Sequence, residues 1–321
     1  MSFSKFCLRA AALAAAALVS VSAQAYSKLV VFGDSLSDNG NAHALLSTYA
    51  GVNLPAAPYF DGRFTNGPVA VEVMASTLGL TLENYAFGGA TTGVTNRIPG
   101  MDSIIQTGLQ AQVNAYTNVL STLGATADAS ALYVVWGGGN DFFSSATLAT
   151  ANTAIANLSN EVAQLYAAGA REFFVPLLPN LAWSAEAFEK GAAYQAGAGM
   201  LSAYFNGGLT SAMTKLEGTL IGANIQVFDT NQPLAAYRSA LAAAGGNITD
   251  RCWTGNYLGA GAQCANPDQY FMWDGVHPTA GVHAYVGKAM AVAAVPEPET
   301  WGLLLAGVLV VGAMRRRQLL G

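Results

Sequence analysis

Short apolar runs recur along the chain between longer Ala-rich stretches. The first, Leu29-Val30-Val31-Phe32, is apolar at successive positions, which marks a strand buried on both faces rather than a half-exposed one. It stops abruptly in Gly33-Asp34-Ser35-Leu36-Ser37-Asp38. Comparable runs at Thr81 to Phe87, Ala131 to Trp136, Glu172 to Leu178 and Ile225 to Phe228 are separated by segments long enough for a helix. That βαβ rhythm predicts an α/β fold, a three-layer α/β/α sandwich around a five-stranded parallel sheet. Five strands suit the flavodoxin-like order 2-1-3-4-5, and no repeat, linker or second domain interrupts residues 26–294.

The two ends read differently. Residues 1–25 carry Lys5 and Arg9, an Ala/Leu/Val run from Ala10 to Val21 and then Ala23-Gln24-Ala25, which is the layout of an export signal with the mature chain beginning near Tyr26. Residues 295–321 open with Val295-Pro296-Glu297-Pro298-Glu299, continue uncharged from Trp301 to Met314 and reach Arg315-Arg316-Arg317. At about 1.5 Å per residue the uncharged part covers roughly 21 Å, short of a roughly 30 Å hydrocarbon core. A short transmembrane helix with a cytoplasmic C-terminus is therefore expected, with snorkelling arginines and Trp301 extending its reach.

Composition narrows the function. Only 10% of the 321 residues are charged, and residues 26–294 hold nine Lys/Arg against seventeen Asp/Glu, a net charge of −8. This fits neither a disordered chain nor a nucleic-acid partner. Cys7 leaves with the signal, so Cys252 and Cys264 remain, and in an exported protein such a pair points to a disulfide. Closing that loop would contribute roughly 2–3 kcal/mol. With three histidines in all and no metal-ligand spacing, no metal is expected, and because the glycine runs carry no Gly-x-Gly-x-x-Gly or Gly-Lys-Ser/Thr pattern, no nucleotide cofactor is expected either.

The strand ends are where an open α/β sheet places its ligands. After the first strand Ser35 stands on a turn, where Gly-Asp-Ser is equally able to lead into a helix cap. After the second, Gly88-Gly89 lets a backbone N–H approach a ligand closely. The third runs into Gly137-Gly138-Gly139-Asn140-Asp141, where Asn140 or Asp141 is also a candidate cap. Ahead of the last helix comes Trp273-Asp274-Gly275-Val276-His277-Pro278, a loop able to present an Asp that orients a His. Such a His can take a proton from a serine hydroxyl and return it to a leaving group. His43 and His283 are competing bases, both placed on helices by the pattern.

Together these pieces resemble the GDSL or SGNH hydrolases. Gly33-Asp34-Ser35-Leu36-Ser37-Asp38 is similar to the first block of that family, Asn84-x-x-x-x-Gly89 to the second, Gly138-x-Asn140-Asp141 to the third and Asp274-x-x-His277 to the last. Tyr59-Phe60-Asp61-Gly62-Arg63-Phe64-Thr65-Asn66-Gly67 resembles a segment of its lipase and esterase members, and its aromatic and Gly-containing part from Tyr59 to Phe64 tilts the expectation towards lipid-type acyl esters. The resemblance implies Ser35 as nucleophile, His277 as general base and then acid, and Asp274 as the group that orients it. It implies an oxyanion hole of the Ser35 N–H, the Gly89 N–H and the Asn140 amide, with Gly88 a rival to Gly89. Asp34 is expected to support the turn, and Asp38, Asn39 and Asp141 to serve as supporting or capping residues. The Gly-x-Ser-x-Gly elbow of the α/β-hydrolases is absent.

The tail resembles a PEP-CTERM sorting signal, which implies an envelope protease as partner, transient membrane contact and localisation to the bacterial envelope or exterior; a permanent anchor stays open. The resemblance implies an exported serine ester hydrolase acting through an acyl-serine intermediate on a small-molecule or lipid ester. The alternatives are a non-catalytic envelope or matrix module on the same scaffold, and acyl transfer to an alcohol.

Overall fold

A computed structural model of the chain describes residues 26–295. The expected export signal, residues 1–25, and the tail from 296 onward, including the expected membrane span, lie outside the described residues. Among the described residues no helix is long and apolar enough to cross a membrane.

The elements run β1 (Leu29–Gly33), α1 (Asn41–Ala50), α2 (Ala70–Leu78), β2 (Leu82–Asn84), α3 (Met101–Ile104), α4 (Leu109–Thr122), β3 (Leu132–Trp136), α5 (Gly139–Ser144), α6 (Leu148–Ala168) and β4 (Glu172–Pro176). They continue with α7 (Ala185–Lys190), α8 (Ala192–Glu217), β5 (Asn224–Phe228), α9 (Asn231–Ala243), β6 (Asn247–Arg251), β7 (Tyr270–Met272) and α10 (Ala280–Ala294). The first five strands form one parallel sheet in the order β2-β1-β3-β4-β5, as the βαβ rhythm predicts.

β1 lies inside the sheet and every one of its five residues is buried. Because side chains alternate along a strand, Val30 and Phe32 enter one apolar layer and Leu29 and Val31 the other. The first layer is closed by α4, α6 and α8 through residues such as Val113, Leu158 and Phe205. The second is closed by α2, α9 and α10 through Met74, Leu234, Val286 and Met290. Three layers follow directly from a doubly apolar strand.

Three strands are shorter than the pattern predicts, β3 by Ala131 alone. β2 ends at Asn84 rather than Phe87, although the N–H groups of Tyr85 and Phe87 still donate to the carbonyls of Val31 (2.8 Å) and Gly33 (3.2 Å), while the Asn84 Oδ1 accepts the Ala86 N–H (3.0 Å). β4 ends at Pro176 rather than Leu178. A separate two-stranded parallel sheet, β6 with β7, has no counterpart in the sequence reading. Its pairing continues past the strands, with Cys252 N–H donating to the Met272 carbonyl (3.0 Å) and Trp253 N–H to that of Trp273 (2.6 Å). Cys252 and Cys264 are joined by a disulfide, so this sheet carries a cross-linked loop beside Asp274.

Candidate active site

Ser35 follows the C-terminal end of β1, on a turn that Asp34 builds. The Asp34 carbonyl accepts the N–H groups of Ser37 (3.0 Å) and Asp38 (2.9 Å), and its carboxylate accepts that of Leu36 (3.0 Å). Burial pushes the Asp34 carboxyl up to about 6. Beneath the turn, the Gln112 amide accepts the Gly33 N–H (2.9 Å) and donates to the Gly33 carbonyl (2.8 Å) and that of Thr107 (2.8 Å). The Phe87 N–H still pairs with the Gly33 carbonyl (3.2 Å), and the Gln112 side chain from α4 takes the Gly33 N–H in place of a strand carbonyl.

The structure brings Ser35, His277 and Asp274 into one hydrogen-bonded line. The Ser35 hydroxyl donates to His277 Nε2 (2.7 Å), and His277 Nδ1–H donates to both carboxylate oxygens of Asp274 (2.9 and 2.8 Å). These roles follow from the neutral tautomer with the proton on Nδ1, the one that lets both partners be satisfied. All three residues are buried, with relative exposures of 8% for Ser35, 6% for His277 and 4% for Asp274. Burial alone would raise the Asp274 carboxyl; the His277 ring and the N–H groups of Val276 (2.9 Å) and His277 (2.8 Å) outweigh it and hold it below the usual carboxylate range.

The segment around Tyr59 to Gly67, read from the sequence as a hint about substrate, clamps the loop that carries His277. The Tyr59 hydroxyl donates to Asp274 Oδ2 (2.8 Å), the Thr65 hydroxyl donates to the Pro278 carbonyl (2.7 Å), and Asn66 Oδ1 accepts the Ala280 N–H at the start of α10 (2.8 Å). Tyr59 is itself packed edge-on against Trp253 and Trp273. Burial and then the Asp274 charge raise its hydroxyl far above the ordinary range, so it stays a donor.

Asp38 distinguishes the two paired glycines. Its carboxylate accepts the Gly88 N–H (2.6 Å) together with those of Gly40, Asn41 and Ala42 at the start of α1. Gly88 is thereby committed, and a Cβ there would lie 2.0 Å from the Phe64 ring. Gly89, with φ +77°, lines the cavity and its N–H has no acceptor among the described residues. The Asn140 side chain donates to the Ala90 carbonyl (3.0 Å), which leaves its second amide hydrogen free on the same cavity. Ser35, Gly89, Asn140 and His277 all line one cavity of about 540 Å³, within the roughly 300–1,000 Å³ of small-molecule sites.

The supporting residues fall where the sequence expects them. Asn39 Oδ1 accepts from Asn84 Nδ2 (3.0 Å), which also donates to the Ser37 carbonyl (2.7 Å). Asp141 accepts the N–H (3.0 Å) and hydroxyl (2.7 Å) of Thr92. The competing histidines stand apart. His43 lies on α1 with Nδ1 against the Pro55 carbonyl (3.1 Å). His283 is buried in α10, where its Nδ1 accepts the Ala70 N–H (3.2 Å) and burial drives its pKa down to about 3.

The model of the GDSL-like lipase/acylhydrolase family matches residues 29–290, and the chain belongs to that family. The PEP-CTERM protein-sorting motif matches residues 294–318 and suggests export to the cell envelope or the extracellular space. The chain is 28% identical to an uncharacterized protein in the trpE-trpG intergenic region of Pseudomonas putida, over 91% of this chain and 52% of that one. It is 26% identical to the phosphatidylcholine-sterol acyltransferase of Aeromonas hydrophila, over 83% of this chain and 90% of that one. It is 30% identical to the esterase EstA of Pseudomonas aeruginosa, over 91% of this chain and 50% of that one. The chain thus spans about half the length of the two Pseudomonas relatives. Among solved structures, a lipolytic protein of the G-D-S-L family from Veillonella parvula aligns with a TM-score of 0.45 at 13% identity, over 83% of this chain and 95% of that one.

Proposed function

We propose that the protein is an exported serine hydrolase that cleaves carboxylic esters of lipid or acyl type through an acyl-serine intermediate. The observation that carries this reading is the 2.7 Å contact between the Ser35 hydroxyl and His277 Nε2, with Nδ1 of the same ring held by buried Asp274. Ser35 Oγ attacks the ester carbonyl carbon as His277 Nε2 takes its proton. The negative oxygen that develops is met by the Ser35 and Gly89 N–H groups and the Asn140 amide, each such donor being worth a few kcal/mol in the transition state. The C–O bond to the alcohol then breaks, and the imidazolium returns the proton to the departing oxygen. Water, deprotonated by the same Nε2, then attacks the acyl carbon, the bond from that carbon to Ser35 Oγ breaks, and the imidazolium returns its proton to Oγ as the carboxylic acid leaves.

The acyl preference rests on the cavity, whose lining includes Leu178, Leu181, Trp183, Leu234, Phe271 and Met272. Such a wall removes an alkyl chain from water at roughly 25 cal/mol per Å². An acyl-chain series of p-nitrophenyl esters, with Ser35→Ala as control, tests this reading. Rates should rise from acetyl towards medium chains and vanish in the variant; turnover of acetyl esters alone would remove the lipid preference.

Similarity to an acyltransferase over 90% of that protein's length favours a second reading, transfer of the same acyl group to an alcohol. Product analysis in the presence of an acceptor alcohol separates the two. In this proposal residues 1–25 direct export, and residues 295–321 hold the chain in the membrane until an envelope protease removes them.

A further inference from the structure

One positive charge at the mouth of the cavity is left uncancelled. Among the charged side chains lining it, Glu186 and Lys190 pair with each other along α7, and Asp34 is buried under the turn. Arg97 has no carboxylate within ion-pair distance among the described residues. Asp102, close by in sequence, accepts the Asn96 N–H with both oxygens (2.9 and 3.2 Å). A free cation here runs against a domain whose net charge is −8.

The charge is also held in place. The Arg97 N–H donates to the Gly89 carbonyl (2.9 Å), and the Asn96 amide donates to the Gly88 carbonyl (2.8 Å) and the Thr107 hydroxyl (2.9 Å). Asn96 Oδ1 accepts the Ile98 N–H (2.7 Å), and the guanidinium stands 4.4 Å from the centroid of the Phe143 ring. A guanidinium fixed over an aromatic face keeps its N–H edge available to an anion.

Tyr257 lines the same cavity and packs against the same apolar cluster as Ile98, next to Arg97; its ring is 6.2 Å from that of His277, and its hydroxyl has no hydrogen-bond partner among the described residues. The strand order separates this corner from the apolar wall. Arg97 belongs to the segment after β2, at one edge of the sheet, whereas Leu178 to Trp183 follow β4; Ser35, after β1, lies between them.

We propose that Arg97 and Tyr257 form a subsite that selects esters bearing an anionic group, a phosphate or a carboxylate, on the part of the substrate that lies over the β2 edge. This rests on the hydrolase reading, with the acyl chain against the opposite wall. Arg97 and Tyr257 determine specificity and do not take part in bond breaking. The interaction weakens with salt, as expected for a charge at a solvent-facing mouth.

The test compares hexanoyl esters of glycerol, glycerol 3-phosphate and glyceric acid. The wild type should favour at least one anionic ester over the neutral one by about 10-fold in kcat/KM, mainly through KM. The anion preferred identifies phosphate or carboxylate as the group recognised. Arg97→Gln should abolish the preference while leaving the neutral ester within about twofold, Arg97→Lys should retain part of it, and Tyr257→Phe should remove a smaller share. Equal rates for all three esters, or a preference that survives Arg97→Gln, would overturn the proposal. Calorimetric binding of hexyl phosphate and hexanol to the Ser35→Ala protein provides a readout independent of turnover. Tighter binding of the phosphate, lost on adding Arg97→Gln, supports the subsite even if no ester is cleaved; equal binding overturns it even if the neutral ester is.

Discussion

The Tyr59 hydroxyl donates a 2.8 Å hydrogen bond to Oδ2 of Asp274, 215 residues away, so the carboxylate facing His277 is held from both sides. Removing only that hydroxyl should disturb the line of groups without emptying the aromatic cluster around it. Tyr59→Phe is expected to lower kcat by about 10- to 150-fold with KM nearly unchanged, since a hydrogen bond to a charged group contributes about 1.5–3 kcal/mol. Steady-state kinetics decide; a variant with the wild-type kcat would show that Asp274 is oriented without it.

Gln112 is expected to matter for stability as much as for activity. Gln112→Leu keeps the volume but leaves the buried Gly33 N–H and the Thr107 carbonyl without this partner, at a cost of about 1–3 kcal/mol. The floor under Ser35 loosens at the same time, so kcat should fall as well. Urea denaturation measures the first effect, and a loss below about 0.5 kcal/mol would contradict the structural role.

Buried carboxyls set the pH dependence of stability. Burial raises Asp34 and Asp38 to about 6, raises Asp141, and together with the Asp141 charge raises Glu161, whose two oxygens have no partner among the described residues. Each holds its proton more tightly folded than unfolded, so this stabilisation is complete below the unfolded value near 4 and is lost as pH rises through about 6 and beyond. Asp274, Glu83 and Asp128 are shifted the other way, and what they contribute is lost only as pH falls below about 4. His283, driven down to about 3 by burial, acts the other way, its contribution being complete above about 6.5 and lost as pH falls towards 3; because several raised carboxyls outweigh one histidine, the melting temperature should peak at about pH 4–6 and decline towards pH 8. Glu161→Gln should flatten that decline and match the wild type at about pH 4; a wild-type melting temperature that rises steadily from about pH 5 to 8 would contradict this account.

The disulfide closes a loop whose first residue packs with Tyr59, Trp253 and Trp273, next to Asp274. Replacing both cysteines by Ala should cost about 2–3 kcal/mol through the freed unfolded chain. Activity should fall at lower denaturant than the global fold does, because the loop bearing His277 loosens first. Parallel loss of ester hydrolysis and of circular dichroism across a urea series would argue against it.

What could be read from the sequence was what is encoded locally. The apolar run of β1 ends at Ser35, and Asp274 and His277 share one Gly-containing turn, so strand position and loop chemistry were visible within a few residues. Tyr59 and Gln112 were not, because their partners lie 215 and 79 residues away and nothing in their own neighbourhoods points to them. The aromatic block at Tyr59 to Gly67 suggested a substrate preference, whereas Tyr59, Thr65 and Asn66 hold the His277 loop. β6 escaped notice because Asn247-Ile248-Thr249-Asp250-Arg251 is polar and pairs only with short β7. Choosing Gly89 over Gly88 required seeing where the Asp38 carboxylate lies.

The central claim is that Ser35 is a nucleophile activated by His277. Treatment of the folded, exported protein with a fluorophosphonate, followed by peptide mass spectrometry, tests it most directly. The account predicts one adduct, on Ser35, absent in Ser35→Ala and strongly slowed in His277→Ala, with both variants melting close to the wild type. No adduct on the folded protein, or an adduct on another serine, would contradict it.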